Sequence, residues 1–138
     1  SLASEYLRTL EARGLLAARR VGRRVEYRLS PAASGSRARG LVAAMRSAFD
    51  GETQPAQTLF KLATAFTHPR RIEIFRALHT TPRTFGELQA ATGISRQALH
   101  RHLCKLEARG FVRGDLGLYS VAGRSDDFGR ELARLAAE

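Results

Sequence analysis

Tryptophan is absent from this chain, cysteine occurs once (Cys104), lysine only at positions 61 and 105, and acidic residues number 13 against 23 basic ones. One thiol cannot close an internal disulfide or supply the thiolate pair that soft metals favour. A disulfide scaffold and a thiolate metal centre are therefore both excluded, and a reducing compartment is expected. No apolar run approaches the roughly 20 residues that a membrane-crossing helix needs, and no basic-then-apolar leader opens the sequence. The expectation is a cytoplasmic, nucleoid-associated chain with no membrane partner. Catalytic signatures are also lacking. The four histidines and scattered carboxylates form no nucleophile–base set, and no glycine-rich loop follows a strand as phosphate-binding motifs require. Neither an enzyme nor a cofactor is expected.

What is present is positive charge on an ordinary globular composition. With 138 residues, 43% of them hydrophobic, the chain suits one or two small domains. A net charge of +10 and a sequence pI near 11.3 make a polyanion the expected partner, with nucleic acid first. Nearly all the cations are arginines. The guanidinium suits bidentate phosphate and guanine contacts, although an arginine-rich composition also follows from genome base composition.

The chain is organised around Gly93 to Val121. Gly93 sits where one helix stops, and Ser95 is placed to cap the next, whose Leu99, Leu103 and Leu106 recur at helical spacing. The opposite face carries Arg96, Gln97, His100, Arg101 and Lys105, side chains able to reach phosphates and base edges in a major groove. Gly110 ends this helix. Phe111–Arg113 and Leu118–Val121 then read as two strands around the turn Gly114-Asp115-Leu116-Gly117. Upstream, His68-Pro69 opens a helix with Ile72, Phe75 and Leu78 inward, Thr84 and Glu87 form a capping box for a short helix from Phe85 to Ala91 with Leu88 inward, and Thr92-Gly93-Ile94 is the turn. These pieces make a winged helix-turn-helix.

The runs H-P-R-R-I-E-I-F-R-A-L and T-F-G-E-L-Q-A-A-T-G-I-S-R-Q-A-L-H-R-H-L-C-K-L-E-A-R-G-F-V closely resemble the ArsR-type winged-helix regulators over roughly residues 62–121. The resemblance implies double-stranded DNA as partner, with contacts from the helix start and the residues before His-Leu: Ser95, Arg96, Gln97, His100 and Arg101. It also implies terminal helices at a dimer interface. Metal sensing, which the family name suggests, lacks its ligands here: there is no Cys pair and no His after His102, so no metal is expected. Cys104 is expected to be a small buried or half-buried residue.

The beginning of the chain repeats this stretch. Leu10-Glu11-Ala12-Arg13-Gly14 recurs as Leu106-Glu107-Ala108-Arg109-Gly110, which aligns Ala3, Leu7 and Leu10 with Leu99, Leu103 and Leu106. Ser1–Gly14 thus reads as another recognition helix, with Ala17–Val21 and Arg23–Leu29 as its wing around Gly22. Arg19, Arg20, Arg23, Arg24 and Arg28 place charge where a wing tracks a backbone or enters a minor groove. As the sequence stands, this helix would lack the preceding helices expected to cover its apolar side. Either residues upstream of Ser1 are missing or a partner chain supplies the layer.

The remaining stretches are connectors. Residues 31–36 form a breaker-rich link, Arg37–Phe49 and Ala56–Thr67 read as amphipathic helices, and a last helix to Ala137 is capped by Ser125 or Asp126 with Phe128, Leu132 and Leu135 as its stripe. The expected architecture is mainly α with small β-hairpins (α+β), with two tandem winged units. Residues 1–30 form half of the first unit, 31–67 a linker with packing helices, 68–122 the second unit and 123–138 a C-terminal helix. The expected function is a DNA-binding, repressor-like transcriptional regulator, acting as a homodimer or an internal pseudo-dimer with an unknown effector. The alternative is a winged-helix interaction module that reads no DNA sequence.

Overall fold

A computed structural model describes residues 1–30, 36–51 and 53–138, and the chain divides into two compact units, Ser1–Arg46 and Ser47–Glu138. The link expected at 31–36 falls, through residue 35, outside the described residues. The protein is mainly α-helical with small antiparallel β-hairpins, an α+β winged-helix fold.

In the first unit, α1 (Leu2–Ala12) leads into β1 (Leu16–Val21) and β2 (Arg24–Leu29), paired from Leu16↔Leu29 to Val21↔Arg24. Arg23 belongs to the two-residue turn rather than to the strand. Gly22, at φ +60°, takes the first turn position, which suits the right-handed twist of a hairpin. The Leu-Glu-Ala-Arg-Gly repeat closes its two helices in the same way. Gly14 N–H donates to the Glu11 carbonyl at 2.8 Å and Leu15 N–H to the Leu10 carbonyl at 3.0 Å; the second copy has Gly110 to Glu107 at 2.9 Å and Phe111 to Leu106 at 3.0 Å. Both glycines are left-handed, at φ +73° and +74°, where a Cβ would be penalised. Burial separates the copies. Leu99, Leu103 and Leu106 are fully enclosed, whereas α1 has no buried residue and Leu10 is exposed.

α2 (Ser36–Gly51) is followed by α3 (Pro55–Ala63), a 3-10 turn (Thr64–Phe66), α4 (Pro69–Thr80), β3 (Arg83–Thr84), α5 (Phe85–Thr92), α6 (Arg96–Ala108), β4 (Val112–Asp115), β5 (Leu118–Val121) and α7 (Asp127–Ala137). The hub is α4, which packs on the 3-10 turn, α5, α6, β5 and α7. Its buried stripe is Arg71, Ile74, Phe75 and Leu78, with Ile72 only half-buried. This stripe keeps the helical period but is rotated from the expected face, because a cation occupies an inward position. The expected helix Ala56–Thr67 changes character at Thr64, where α3 gives way to a tighter 3-10 turn whose Thr64 and Ala65 carbonyls accept from a side chain of α4. Arg71 takes both, its Nη2 donating to Thr64 at 2.8 Å and its Nε to Ala65 at 2.6 Å.

The wing differs in register from its sequence reading. Gly114 and Asp115 lie in β4, and only Leu116 and Gly117 turn, both at positive φ. The two-residue β3 pairs with β5 to give a three-stranded sheet in the order β3-β5-β4. So short a strand shows no alternation to read. At the last helix Asp126, not Ser125, is the cap, accepting from Gly129 N–H at 2.7 Å. Phe128 and Ala136 are buried there, while Leu132 and Leu135 are half-buried.

The capping box forms as expected. Thr84 Oγ1 accepts from Glu87 N–H at 3.3 Å, and Thr84 N–H donates to Glu87 Oε2 at 2.7 Å. Thr84→Ala is expected to cost about 1 kcal/mol, seen as a lower urea midpoint with an unchanged slope. The backbone bond from Thr84, and then its hydroxyl, hold the Glu87 carboxyl below the usual carboxylate range. The stabilisation is therefore present at neutral pH and is lost as pH falls through that lowered value.

Candidate nucleic-acid interface

The helix-turn-helix is α5 and α6 with their connection. Thr92 Oγ1 donates back to the Leu88 carbonyl at 2.7 Å, and Gly93 at φ +63° closes α5 with its N–H on Gln89 O at 2.9 Å. Ile94 is buried, and Ser95 Oγ accepts from Ala98 N–H at 3.4 Å to start α6. With Leu99, Leu103 and Leu106 pinned inward, the other face of α6 turns outward by periodicity. Ser95, Arg96, Gln97, His100, Arg101 and Lys105 are all exposed on it. So is Cys104, contrary to its expected burial, because it lies one helical turn beyond His100, whose Nε2 is 3.6 Å from its Sγ.

These side chains are not equally free. The Arg96 guanidinium sits 5.8 Å from the centre of the Phe85 ring, an attraction that steadies a cation at the positive end of its own helix. Arg101 and Lys105, one turn apart, have no carboxylate partner among the described residues. His102 is half-buried, with its ring 4.6 Å from that of His68. Burial, and then the charges of His68, Arg71, Arg101 and Lys105, push its pKa down.

In the first unit Arg19, Arg20, Arg23, Arg24 and Arg28 are all exposed on the hairpin. Strand alternation puts Arg19 and Arg20 on opposite faces, with Arg23 in the turn. Arg28 pairs with Glu26 at 3.6 Å, and Arg19 lies opposite the same Glu26 in the hairpin register. The β4–β5 wing of the second unit is poorer in charge: Arg113 donates to Ser120 Oγ at 3.2 Å, and Leu116 at the tip is 100% exposed. Neither the burial of Arg71 nor the His68–His102 pair follows from the local sequence. His68 and Arg71 stand in the run His68-Pro69-Arg70-Arg71, but nothing local in the sequence links His68 to His102, 34 positions further on.

Among the described residues no group of three or more His, Cys, Asp or Glu is placed to hold a metal ion, and no helix is long and apolar enough to cross a membrane.

Residues 66–115 match the family described as a helix-turn-helix domain. Among solved structures, HlyU from Vibrio cholerae N16961 is similar with a TM-score of 0.50 at 24% identity, over 61% of this chain and 92% of that one. NolR from Sinorhizobium fredii is similar with a TM-score of 0.48 at 28% identity, over 60% of this chain and 85% of that one. No curated protein matches the sequence. The likeness to HlyU establishes the fold.

Proposed function

We propose that the chain is a DNA-binding transcriptional regulator of the ArsR-type winged-helix class, repressor-like, which reads duplex DNA through α6 and holds its backbone through the arginine-rich hairpin of the first unit. The observation that carries this reading is the outward face of α6, where Arg101 and Lys105 stand without carboxylate partners among the described residues, beside Gln97 and His100. Side chains of that reach near the N-terminal half of a recognition helix are the kind that touch base edges, and a net charge of +10 supplies the sequence-independent attraction. In this reading residues 1–30 are the recognition-helix half of one winged unit, 31–67 link and pack, 68–122 form the other unit and 123–138 its terminal helix. The repeated helix ends and hairpins support a tandem arrangement, working as an internal pseudo-dimer or as a homodimer.

The test is a titration of labelled duplex at several salt concentrations. A steep loss of affinity with salt is expected, and retention that ignores salt would sink the proposal. The variant Arg23→Ala/Arg24→Ala should weaken binding to all sequences alike and flatten the logarithmic salt slope by about 2, roughly 0.9 for each phosphate contact removed.

A second reading, a winged-helix interaction module, is favoured by the second wing, whose tip is an exposed leucine beside Asp115. Such a module would leave a DNA or heparin column at low salt.

A further inference from the structure

A cavity of about 550 Å³ opens in the second unit where the N-terminal ends of α4 and α6 come together. His68, Arg70, Arg71, Arg101, His102 and Lys105 line it, Ile94 and Ala98 give it an apolar wall, and no carboxylate contributes. We propose that this cavity is a seat for a phosphate-type oxyanion, filled by a backbone phosphate in the DNA complex and open, when DNA is absent, to a free phosphorylated small molecule that competes for it. The DNA half of this statement rests on the regulator reading above; the free-anion half does not.

Arg71 carries the argument. It is only 6% exposed, and a buried cation ordinarily has an anionic partner. Here its acceptors are all neutral: the Thr64 and Ala65 carbonyls and Thr67 Oγ1, the last at 2.9 Å. Nη1 takes no part in these bonds. Burial, and then the nearby Arg109, press against the charged form, yet a guanidinium stays protonated at any ordinary pH. An anion in the cavity would supply the missing counter-charge. Among the described residues Arg101 and Lys105 lack a carboxylate partner as well, whereas Arg70 already holds Glu73 at 2.8 Å.

The two imidazoles extend the seat. His68 Nδ1 accepts from Arg70 N–H at 3.1 Å, which leaves the proton of the neutral ring on Nε2 as a donor. The cationic neighbours that disfavour a proton on His102 are the groups an oxyanion would neutralise. Both helices also point their positive ends at this space, which reinforces the side chains without defining the site. The volume falls within the ~300–1,000 Å³ of small-ligand pockets and exceeds what one phosphate fills, so the rest of a small molecule fits against Ile94 and Ala98.

The test uses the full chain without DNA and inorganic pyrophosphate as the probe, with sodium chloride at matched ionic strength as the control. Imidazole and amide resonances are followed by NMR. Saturable shifts confined to residues 68–71, 93–98 and 101–105 are expected, together with an upward move in the pH at which His102 titrates. Arg101→Gln/Lys105→Gln, both exposed positions, should weaken binding about tenfold or more while leaving the unfolding midpoint unchanged. Pyrophosphate should then release labelled duplex at concentrations where chloride does not. Equal shifts in chloride, or a duplex-binding protein that ignores pyrophosphate, would overturn the seat while leaving the regulator reading intact. Pyrophosphate that binds without displacing duplex would overturn the competition. Pyrophosphate binding by a protein that never holds duplex would support the free-anion seat and overturn the regulator reading.

Discussion

Phe111→Ala is expected to remove about 3–5 kcal/mol from the folding stability of the second unit, a large share of the ~5–15 kcal/mol that a domain of this size has. Phe111 is fully buried between α6 and the β4–β5 hairpin, and its ring meets Phe66 edge-on at 4.7 Å and Phe75 at 6.5 Å. Its other face lies 4.7 Å beneath the Arg124 guanidinium, which in turn donates to the Arg109 and Gly110 carbonyls at 2.8 and 3.1 Å and pairs with Asp126 at 2.7 Å. Truncation would thus open a cavity and loosen the arginine that ties the end of α6 to the start of α7. Phe60→Ala is the control, because Phe60 is 72% exposed and its loss should change stability by no more than about 0.5 kcal/mol. Urea unfolding of both variants decides the matter. Similar midpoints for the two would mean that the aromatic cluster does not hold the unit together.

Arg101→Ala is the functional counterpart. A duplex selected from a random pool by the wild-type protein should bind the variant about 10- to 100-fold more weakly, the ~1–3 kcal/mol of one well-placed arginine contact. Arg101 makes no hydrogen bond or ion pair within the described structure, so the urea midpoint should stay where it was and the loss is one of recognition. Arg101→Lys separates charge from geometry. An ammonium retains attraction to phosphate but not the fork that holds a guanine edge, so affinity for unrelated DNA should persist while discrimination falls. Should both variants bind the selected duplex as tightly as wild type, the DNA-reading face has been placed on the wrong side of α6.

Reading these helices from the sequence succeeded where one short-range cause acts. The three leucines of α6, the Thr84–Glu87 box, and the glycines at 14, 93 and 110 each state their role through spacing or through a conformation that side chains avoid. Errors arose where a residue answers to a distant partner. Arg71 states no role in its own run; the 3-10 turn offers it two carbonyls, and Ile72, expected inward, is only half-buried. Arg83-Thr84 becomes a strand only because β5 lies alongside, and Cys104 is exposed because the leucines leave it no inner place.

From its residues alone, this protein declares its basic character, the helix-turn-helix with its capped helices and glycine stops, and the repeated helix end, since each follows from composition or from bonds spanning no more than five residues. Tertiary packing alone decided that a cation belongs on the inner stripe of α4, that three strands rather than two form the second sheet, and that cationic and imidazole side chains far apart in sequence share one cavity. A hydrogen bond to a distant carbonyl, or a space enclosed by two helix ends, exists only after the chain has folded back on itself. No local pattern encodes it.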